Sequence, residues 1–158
     1  MAGSVSAVKP LDKALTADAA LTLIRLFRSA ERVDAGLTPQ QYRVLKLIGA
    51  GGERSAKLAE RLAVAKPTLT STADALVAAG FLQRETEMKD RRVVRLVLTE
   101  AGQEAVAHAD DVYADWLGEL LGTTRDPERL LADLAELDHA LDEVLRTRRA
   151  AKAAAATK

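Results

Sequence analysis

The segment from Leu37 to Leu98 alternates helical patterns with sharp stops and then changes to a strand pattern, an order that few folds share. The run Thr38-Pro39-Gln40-Gln41 predicts a helix start, with Thr38 as N-cap, proline at the first position and Gln41 closing a capping box. Glycines at 51–52 and 80 predict stops. We expect helices over 39–50, 55–62 and 67–79, followed by a hairpin over 81–87 and 92–98.

This order is that of a winged helix-turn-helix, in which the helices over 55–62 and 67–79 form the helix-turn-helix and the hairpin forms the wing. Helical patterns on either side, over about 12–34, 100–121 and 127–150, make the predicted fold mainly α with a small β-hairpin wing. A DNA major groove is wide enough for a helix and presents a distinct pattern for each base pair. The helix over 67–79 is therefore the predicted recognition helix of a protein that binds DNA.

Composition excludes several other classes of protein. The chain has no cysteine, which rules out disulfides, thiol redox sensing and cysteine metal sites. It has no run of eighteen apolar residues and no signal-peptide pattern from Met1 to Lys9, so we expect a cytoplasmic protein without a membrane span. It shows no glycine-rich phosphate loop and no nucleophile beside a histidine, so we expect neither an enzyme nor a bound cofactor.

Charge is unevenly distributed along a chain whose formal net charge is zero. Residues 1–52 and 53–95 each carry a net charge of +3, residues 96–145 carry −11, and residues 146–158 carry +5. The field of the acidic segment repels DNA and so orients the basic segments toward it.

The outward face of the predicted recognition helix is rich in small polar side chains. With Leu69 inward, a helical wheel places six residues outward: Pro67, Thr68, Thr70, Ser71, Asp74 and Ala75. The hydroxyls of Thr68, Thr70 and Ser71 can bind phosphates or base edges, and a threonine methyl can contact a thymine methyl. The alternative is that these side chains are only solvated.

Several motifs in order resemble the multiple-antibiotic-resistance regulator (MarR) family. They are Leu37-Thr-Pro-Gln-Gln-Tyr-Arg-Val-Leu45, Leu58-Ala-Glu-Arg-Leu62, Lys66-Pro-Thr-Leu-Thr70, Leu76 with Gly80-Phe-Leu82 and Arg84, Asp90-Arg-Arg92, and Leu98-Thr-Glu-Ala-Gly102. The resemblance spans about residues 12–148. The chain departs from it where the family often carries arginine near Ser71 and Ala75, which shifts the expected specificity toward the wing and DNA shape.

The resemblance implies a homodimer of intertwined first, fifth and sixth predicted helices that binds a pseudo-palindromic operator on double-stranded DNA. A lone winged helix also leaves the stripe from Leu130 to Leu145 unburied, which favours a dimer.

The predicted regions are a disordered N-terminus over 1–10, a helical dimerisation region over 11–36 and 100–150, a DNA-binding lobe over 37–99, and an Ala/Lys tail over 151–158.

The wing carries the other predicted DNA contacts. Asp90, Arg91 and Arg92 are expected at the hairpin tip, and a narrow minor groove attracts inserted arginine. The resemblance implies that Arg92 enters the groove, that Arg91 contacts the backbone, and that Asp90 holds an arginine in place. The further phosphate candidates are Lys57, Lys66, Arg84 and Arg95, with a weaker case for Arg54.

The resemblance also implies a repressor relieved by a small ligand, phenolic or aromatic in class, bound between the dimer helices and the DNA lobe. The candidate ligand residues are Leu26, Ala30, Tyr42, Leu45 and Val112, for each of which core packing is the alternative.

Two alternative functions stay open at the level of sequence. A metal-responsive regulator would use His108 and His139 with neighbouring carboxylates at Asp110, Asp111 and Asp138, although zinc sites need three or four ligands. A winged helix that contacts only proteins would need no paired arginines in its wing.

Overall fold

The structure is a computed structural model that describes residues 11–51, 66–87 and 90–156 of the chain. These residues are mainly helical with one two-stranded antiparallel sheet, which confirms the predicted fold class. In chain order the elements are α1 (Lys13–Ala30), α2 (Pro39–Gly49), α3 (Lys66–Ala78), β1 (Leu82–Glu87), β2 (Asp90–Leu98), α4 (Glu100–Leu121) and α5 (Pro127–Ala156). None of these helices is both long and apolar enough to cross a membrane.

Some of the sequence-based predictions fall outside the described residues. They concern the disordered N-terminus over 1–10, the short helix over 55–62, and the phosphate contacts of Arg54 and Lys57.

α1 belongs to the first of two compact units, Met1–Val33 and Asp34–Lys158. Asp12 is its N-cap, and the carboxylate of Asp12 accepts the N–H groups of residues 14 and 15 at 2.8 and 3.1 Å. The helix ends at Ala30, before its predicted end near Asp34. The reason is that the N–H groups of residues 32 and 33 bond to carbonyls three residues back, which tightens the chain into a turn.

The second unit has its core where α2, α3, the hairpin and α4 meet. α2 begins with the predicted capping box, in which Thr38 Oγ1 accepts the N–H of Gln41 at 3.2 Å and Gln41 Oε1 accepts the N–H of Thr38 at 2.9 Å. The buried apolar residues of this unit are Ala35, Leu37, Val44, Leu45, Ile48, Leu69, Ala73, Leu76, Leu82, Leu96, Ala109 and Leu121. On α2 and α3 these residues recur at helical spacing, so one face of each of these two helices is buried.

The end of α3 leads directly into the wing. Gly80 has a φ of +79°, a conformation that favours glycine, and its N–H bonds to the carbonyl of Val77 at 3.0 Å. The N–H of Phe81 bonds to the carbonyl of Leu76 at 3.0 Å. This pair of bonds is a Schellman motif, which satisfies the last carbonyls of the helix and turns the chain toward β1.

The wing differs from its predicted form near the tip. The strands pair regularly from Leu82 with Leu98 to Thr86 with Val94, and the next pair joins Glu87 to Asp90. Residues 91–93 therefore lie opposite a single step of β1 and form a bulge, which adds residues to a strand without ending its pairing. β2 begins at Asp90 and not at residue 92, so the prediction that residues 90–92 form the tip itself was wrong.

α4 begins against the end of α3 at a junction defined by Gly80, Phe81, Thr99 and Gly102. The Thr99 hydroxyl donates to the carbonyl of Gly80 at 2.6 Å and accepts the N–H of Gly102 at 3.0 Å. The N–H of Thr99 bonds to the carbonyl of Phe81 at 3.1 Å. Gly102 is buried so close to that carbonyl that a Cβ there would overlap its oxygen. The junction thus requires both the threonine cap and the glycine.

α5 extends to Ala156, beyond its predicted end near residue 150. The stretch 151–156, predicted as a separate Ala/Lys tail, is helical for its described length. Alanine and lysine are strong helix formers, and no glycine or proline interrupts the stretch.

We expect Gly102→Ala to destabilise the fold by about 1–3 kcal/mol, because the added methyl overpacks against the Phe81 carbonyl. Gly118→Ala is the matched control in the same helix, since a Cβ there meets nothing within 4 Å. The control should stabilise by about 0.5–1 kcal/mol. Thermal unfolding of the two variants checks this, and equal midpoints would contradict the close packing at the junction.

Candidate nucleic-acid interface

The exposed face of α3 consists of the residues that the helical wheel placed outward. Pro67, Thr68, Thr70, Ser71, Asp74 and Ala75 are all exposed, whereas Leu69, Ala73 and Leu76 are buried. The hydroxyl of Thr72, one turn along, donates to the carbonyl of Thr68 at 2.9 Å and is therefore directed back onto the helix. The face is accessible in the way that a contact with a DNA groove requires.

An ion pair joins this helix to the wing. The Arg84 guanidinium on β1 donates to the Asp74 carboxylate on α3, and both side chains are about half exposed. Arg84 was predicted only to contact phosphate, and no role was predicted for Asp74. The guanidinium has five N–H donors, so the ion pair leaves others for a phosphate. Its first effect is to fix the wing relative to α3.

The other predicted cations lie at or near the ends of the described segments. Lys66 is the first residue of α3, and Arg91 and Arg92 lie in the bulge of β2, but for these three residues and for Asp90 the structure describes only the backbone. Arg95 is exposed on β2 opposite Glu85. Bulges often re-aim side chains at functional sites, so the position of Arg91 and Arg92 is compatible with contact outside the sheet.

A polar cluster that sequence analysis did not predict joins α2 to α4. The Tyr42 hydroxyl donates to one carboxylate oxygen of Asp110, and Lys46 Nζ donates to the other at 2.9 Å. The Tyr42 ring lies 5.0 Å from that of Tyr113, and Lys46 Nζ is 5.9 Å from the centre of the Tyr42 ring. Tyr42 and Lys46 are one helical turn apart, which was the available signal, but nothing local indicates Asp110 as their partner.

The cluster changes the ionisation of its members. Burial disfavours the charged form of Asp110, but the hydrogen bonds from Tyr42 and Lys46 and the charge of Lys46 outweigh it and hold the pKa of Asp110 below its usual range. Burial and then the bond to Asp110 raise the pKa of Tyr42, and burial alone raises the pKa of Tyr113. Both phenols therefore stay protonated at neutral pH.

Two buried polar atoms lie on the same two helices. Among the described residues, the Tyr113 hydroxyl on α4 and the Gln40 amide nitrogen on α2 are buried without a hydrogen-bond partner in the chain. Buried polar groups usually have hydrogen-bond partners, so we expect each of these two atoms to bond to a water or a ligand.

The predicted ligand residues divide between the two units. Leu26 and Ala30 lie on α1, half-buried, in the first unit. In the second unit Tyr42 and Val112 are half-buried, whereas Leu45 is fully buried in the core. Core packing therefore accounts for Leu45.

The described residues give no support to a metal site. No group of three or more histidine and carboxylate side chains among them is placed to hold a metal ion, whether at His108 or at His139. Asp110, one of the proposed ligands, is bonded to Tyr42 and Lys46.

Comparisons with known proteins agree with this geometry. Residues 37–94 match the MarR family profile. The transcriptional regulator FarR of Neisseria gonorrhoeae is 32% identical over 114 residues, which cover 68% of this chain and 78% of that protein. The chain belongs to the MarR family. It is a DNA-binding transcription regulator, and the resemblance found in its motifs is confirmed.

Other relatives of this MarR-family chain extend the similarity to its whole fold. The uncharacterised transcriptional regulator YpoP of Bacillus subtilis is 28% identical over 114 residues, with 72% of this chain and 79% of that protein covered. The crystal structure of MarR has a TM-score of 0.64 at 25% identity and covers 90% of this chain and 97% of its own. MosR of Mycobacterium tuberculosis in complex with DNA has a TM-score of 0.56 at 26% identity, with coverages of 85% and 98%.

Asp110→Asn tests the cluster between α2 and α4. A carboxylate whose pKa is lowered by folding stabilises the fold above its unfolded pKa near about 4, and this contribution is lost as the pH falls through the folded-state pKa. The variant should therefore unfold at lower urea than the wild type at pH 7, by about 1 kcal/mol because the pair is partly exposed, and the difference should vanish in acid.

Asp111→Asn is the control, since this neighbouring carboxylate is exposed on the same helix. Urea unfolding between pH 7 and pH 3 compares the three proteins. If Asp110→Asn and Asp111→Asn behaved alike across that range, the cluster would not stabilise the packing of α2 on α4.

Proposed function

We propose that this MarR-family protein is a homodimeric repressor that binds a pseudo-palindromic operator, with α3 in the major groove and the wing in the minor groove. The observation that carries the proposal is the exposed hydroxyl face of α3 held beside the wing by the Asp74–Arg84 ion pair. A helix fits the major groove, and a rigid link to a basic hairpin lets one lobe reach two grooves.

The position of the paired arginines supports the role of the wing. Arg91 and Arg92 lie in the bulge next to residues 88–89, at the end of the hairpin away from the core. Inserted arginine is favoured by the negative potential of a narrow minor groove. Arg92 is the residue we propose for the groove and Arg91 for the backbone, with Asp90 orienting one of them. Lys57, Lys66 and Arg84 are the proposed additional phosphate contacts.

The proposal of a homodimer rests on apolar side chains that the chain leaves uncovered. On α5, Leu130, Leu137, Leu141 and Val144 are 38–53% exposed, and their spacing places them on one face of the helix. On α1, Leu15, Leu21, Leu23, Ile24 and Phe27 are 46–70% exposed. Several exposed apolar side chains on one helix favour an interface, and a two-fold dimer places the same surface of two chains together.

Release of DNA by a small ligand is the regulatory part of the proposal. The cluster of Tyr42 and Tyr113, with the unpartnered Tyr113 hydroxyl and Gln40 amide beside α2 and α4, supports a site for a polar aromatic ligand. Of the ligand residues predicted from the sequence, Tyr42 and Val112 are the ones proposed for this site, and Leu26 and Ala30 remain predictions. Because a regulator acts where the chromosome lies, the proposed location is the cytoplasm.

Light scattering at micromolar concentration should give about twice the 16.9 kDa chain mass. Leu137→Glu should shift the mass toward that of one chain, because Leu137 is 50% exposed in the single chain and a charge there harms only an interface. Gln103→Glu, which adds the same charge at an exposed position of α4, is the control. A wild-type protein of single-chain mass would contradict the dimer.

The wing variants test the DNA-binding proposal. Arg92→Ala should cost about 1–3 kcal/mol of binding free energy and should weaken A·T-flanked sites more than G·C-flanked sites, because groove width depends on sequence. Arg91→Ala should weaken all duplexes equally and lower the salt slope by about one unit for each phosphate that the variant no longer neutralises. Asp90→Ala should weaken binding less than either. Each effect occurs twice in a dimer.

Titrations of A·T-flanked and G·C-flanked duplexes at several salt concentrations measure these changes. Wild-type affinity in all three variants would show that the wing is a solvated hairpin. A flank-dependent loss for Arg91→Ala and a uniform loss for Arg92→Ala would mean that the two roles are exchanged.

A further inference from the structure

The exposed face of α3 contains only small or short side chains. Thr68, Thr70, Ser71 and Ala75 offer hydroxyls and methyl groups, and all are exposed. From Pro67 to Glu85 the sequence contains a single cation, Arg84. The part of α3 whose side chains are described therefore presents no guanidinium or ammonium group of its own.

The guanidinium of Arg84 is bonded to a carboxylate of α3. Arg84 lies on β1 and donates to Asp74, so its guanidinium is drawn to the side of α3 that faces the wing. Direct readout of guanine usually needs two donors of one arginine or lysine directed at the O6 and N7 atoms of the base. The Asp74–Arg84 pair opposes such an orientation, because Asp74 competes for the same donors.

Short side chains favour a different kind of base contact. Threonine and alanine methyls pack against the 5-methyl group of thymine, and serine and threonine hydroxyls bond to either base of a pair. Because these side chains reach only a short distance, the helix must approach the groove floor closely, and the exposed Ala75 one turn after Ser71 leaves room for that approach.

We infer that α3 reads its half-site through thymine methyl groups, with the methyl of Thr68 as a specificity-determining contact, and not through guanine. The inference rests on the proposed placement of α3 in the major groove. The preferred DNA is a duplex whose half-sites present A·T pairs beneath Thr68, Ser71 and Ala75. Arg84 acts as a positioning residue in this arrangement.

The first experiment changes one chemical group at a time on the DNA bases. A preferred duplex is obtained by selecting bound molecules from a random pool with the full-length protein. In one duplex each half-site thymine is replaced by deoxyuridine, which lacks the methyl, and in another each half-site guanine is replaced by 7-deazaguanine, which lacks N7. Affinity should fall about fourfold for each contacted methyl that is removed. It should change less than about twofold for the guanine substitution.

The second experiment separates the methyl of Thr68 from its hydroxyl. Thr68→Val keeps a methyl and removes the hydroxyl, whereas Thr68→Ser keeps the hydroxyl and removes the methyl. Thr68→Ser should distinguish the thymine and deoxyuridine duplexes about fourfold less per half-site than the wild type, and Thr68→Val should distinguish them as the wild type does. On a duplex in which a G·C pair replaces the A·T pair beneath residue 75, Ala75→Arg should acquire a sensitivity to 7-deazaguanine that the wild type lacks. Thermal midpoints equal to that of the wild type confirm that the variants fold.

The outcomes separate this inference from the function on which it rests. Absence of any preferred duplex, with binding only to phosphate charge, would overturn both. Selective binding that is lost with 7-deazaguanine would overturn only the inference, since it would place guanine readout on a cation. Selective binding that is insensitive to both base changes would also overturn it, because DNA shape alone would then carry the specificity. If Thr68→Ser distinguished thymine from deoxyuridine as strongly as the wild type does, the Thr68 methyl would be excluded as a specificity-determining contact.

Discussion

The close approach of α4 to the end of α3 is the constraint on which the DNA-binding lobe depends. One threonine side chain, that of Thr99, caps α4 and bonds to the carbonyl of Gly80 at the same time. Gly102 then packs against Phe81 at a distance that no other residue allows. Because α3 ends and β1 begins at this point, α3 and the wing share one fixed base. Backbone contacts set their relative position at this base, and the Asp74–Arg84 pair adds a side-chain contact at the surface.

Two further contacts between side chains join neighbouring elements of this unit. The Asp74–Arg84 pair joins α3 to the wing at the surface, where such a pair contributes little stability but still selects an orientation. The cluster of Tyr42, Lys46 and Asp110 joins α2 to α4 through bonds across 68 and 64 positions of sequence. A ligand that competed for these groups would act on the packing of α2 against α4. In the regulation proposed above, the cluster is the physical route by which a ligand acts on the lobe, and it carries coupling only if the packing of α2 on α4 has two arrangements.

Local patterns were enough to predict most of the fold. The capping box at Thr38, the glycine stop at Gly80 and the inward and outward faces of α3 each depend on residues within one or two turns. The sequence-based predictions were wrong where the deciding contact joins residues far apart in the sequence, or where two local conformations are close in energy. The bulge in β2 depends on its pairing with β1, and α5 continues because its alanines favour helix. The hydrogen bonds of Asp110 could not be predicted from the sequence, because its partners lie on another helix that is far away along the chain.

The distribution of charge and of small side chains separates affinity from discrimination in this protein. Binding to phosphate needs cations, and those of the lobe lie mostly outside the exposed face of α3. Discrimination between bases needs contacts at the base edges, and short side chains make such contacts when the helix lies close to the groove floor. The segment 96–145, with its net charge of −11, repels DNA and so favours approach through the more basic parts of the chain. In the proposed mode of binding, α3 specifies the sequence although it carries no cation after Lys66, and other parts of the same chain supply the attraction.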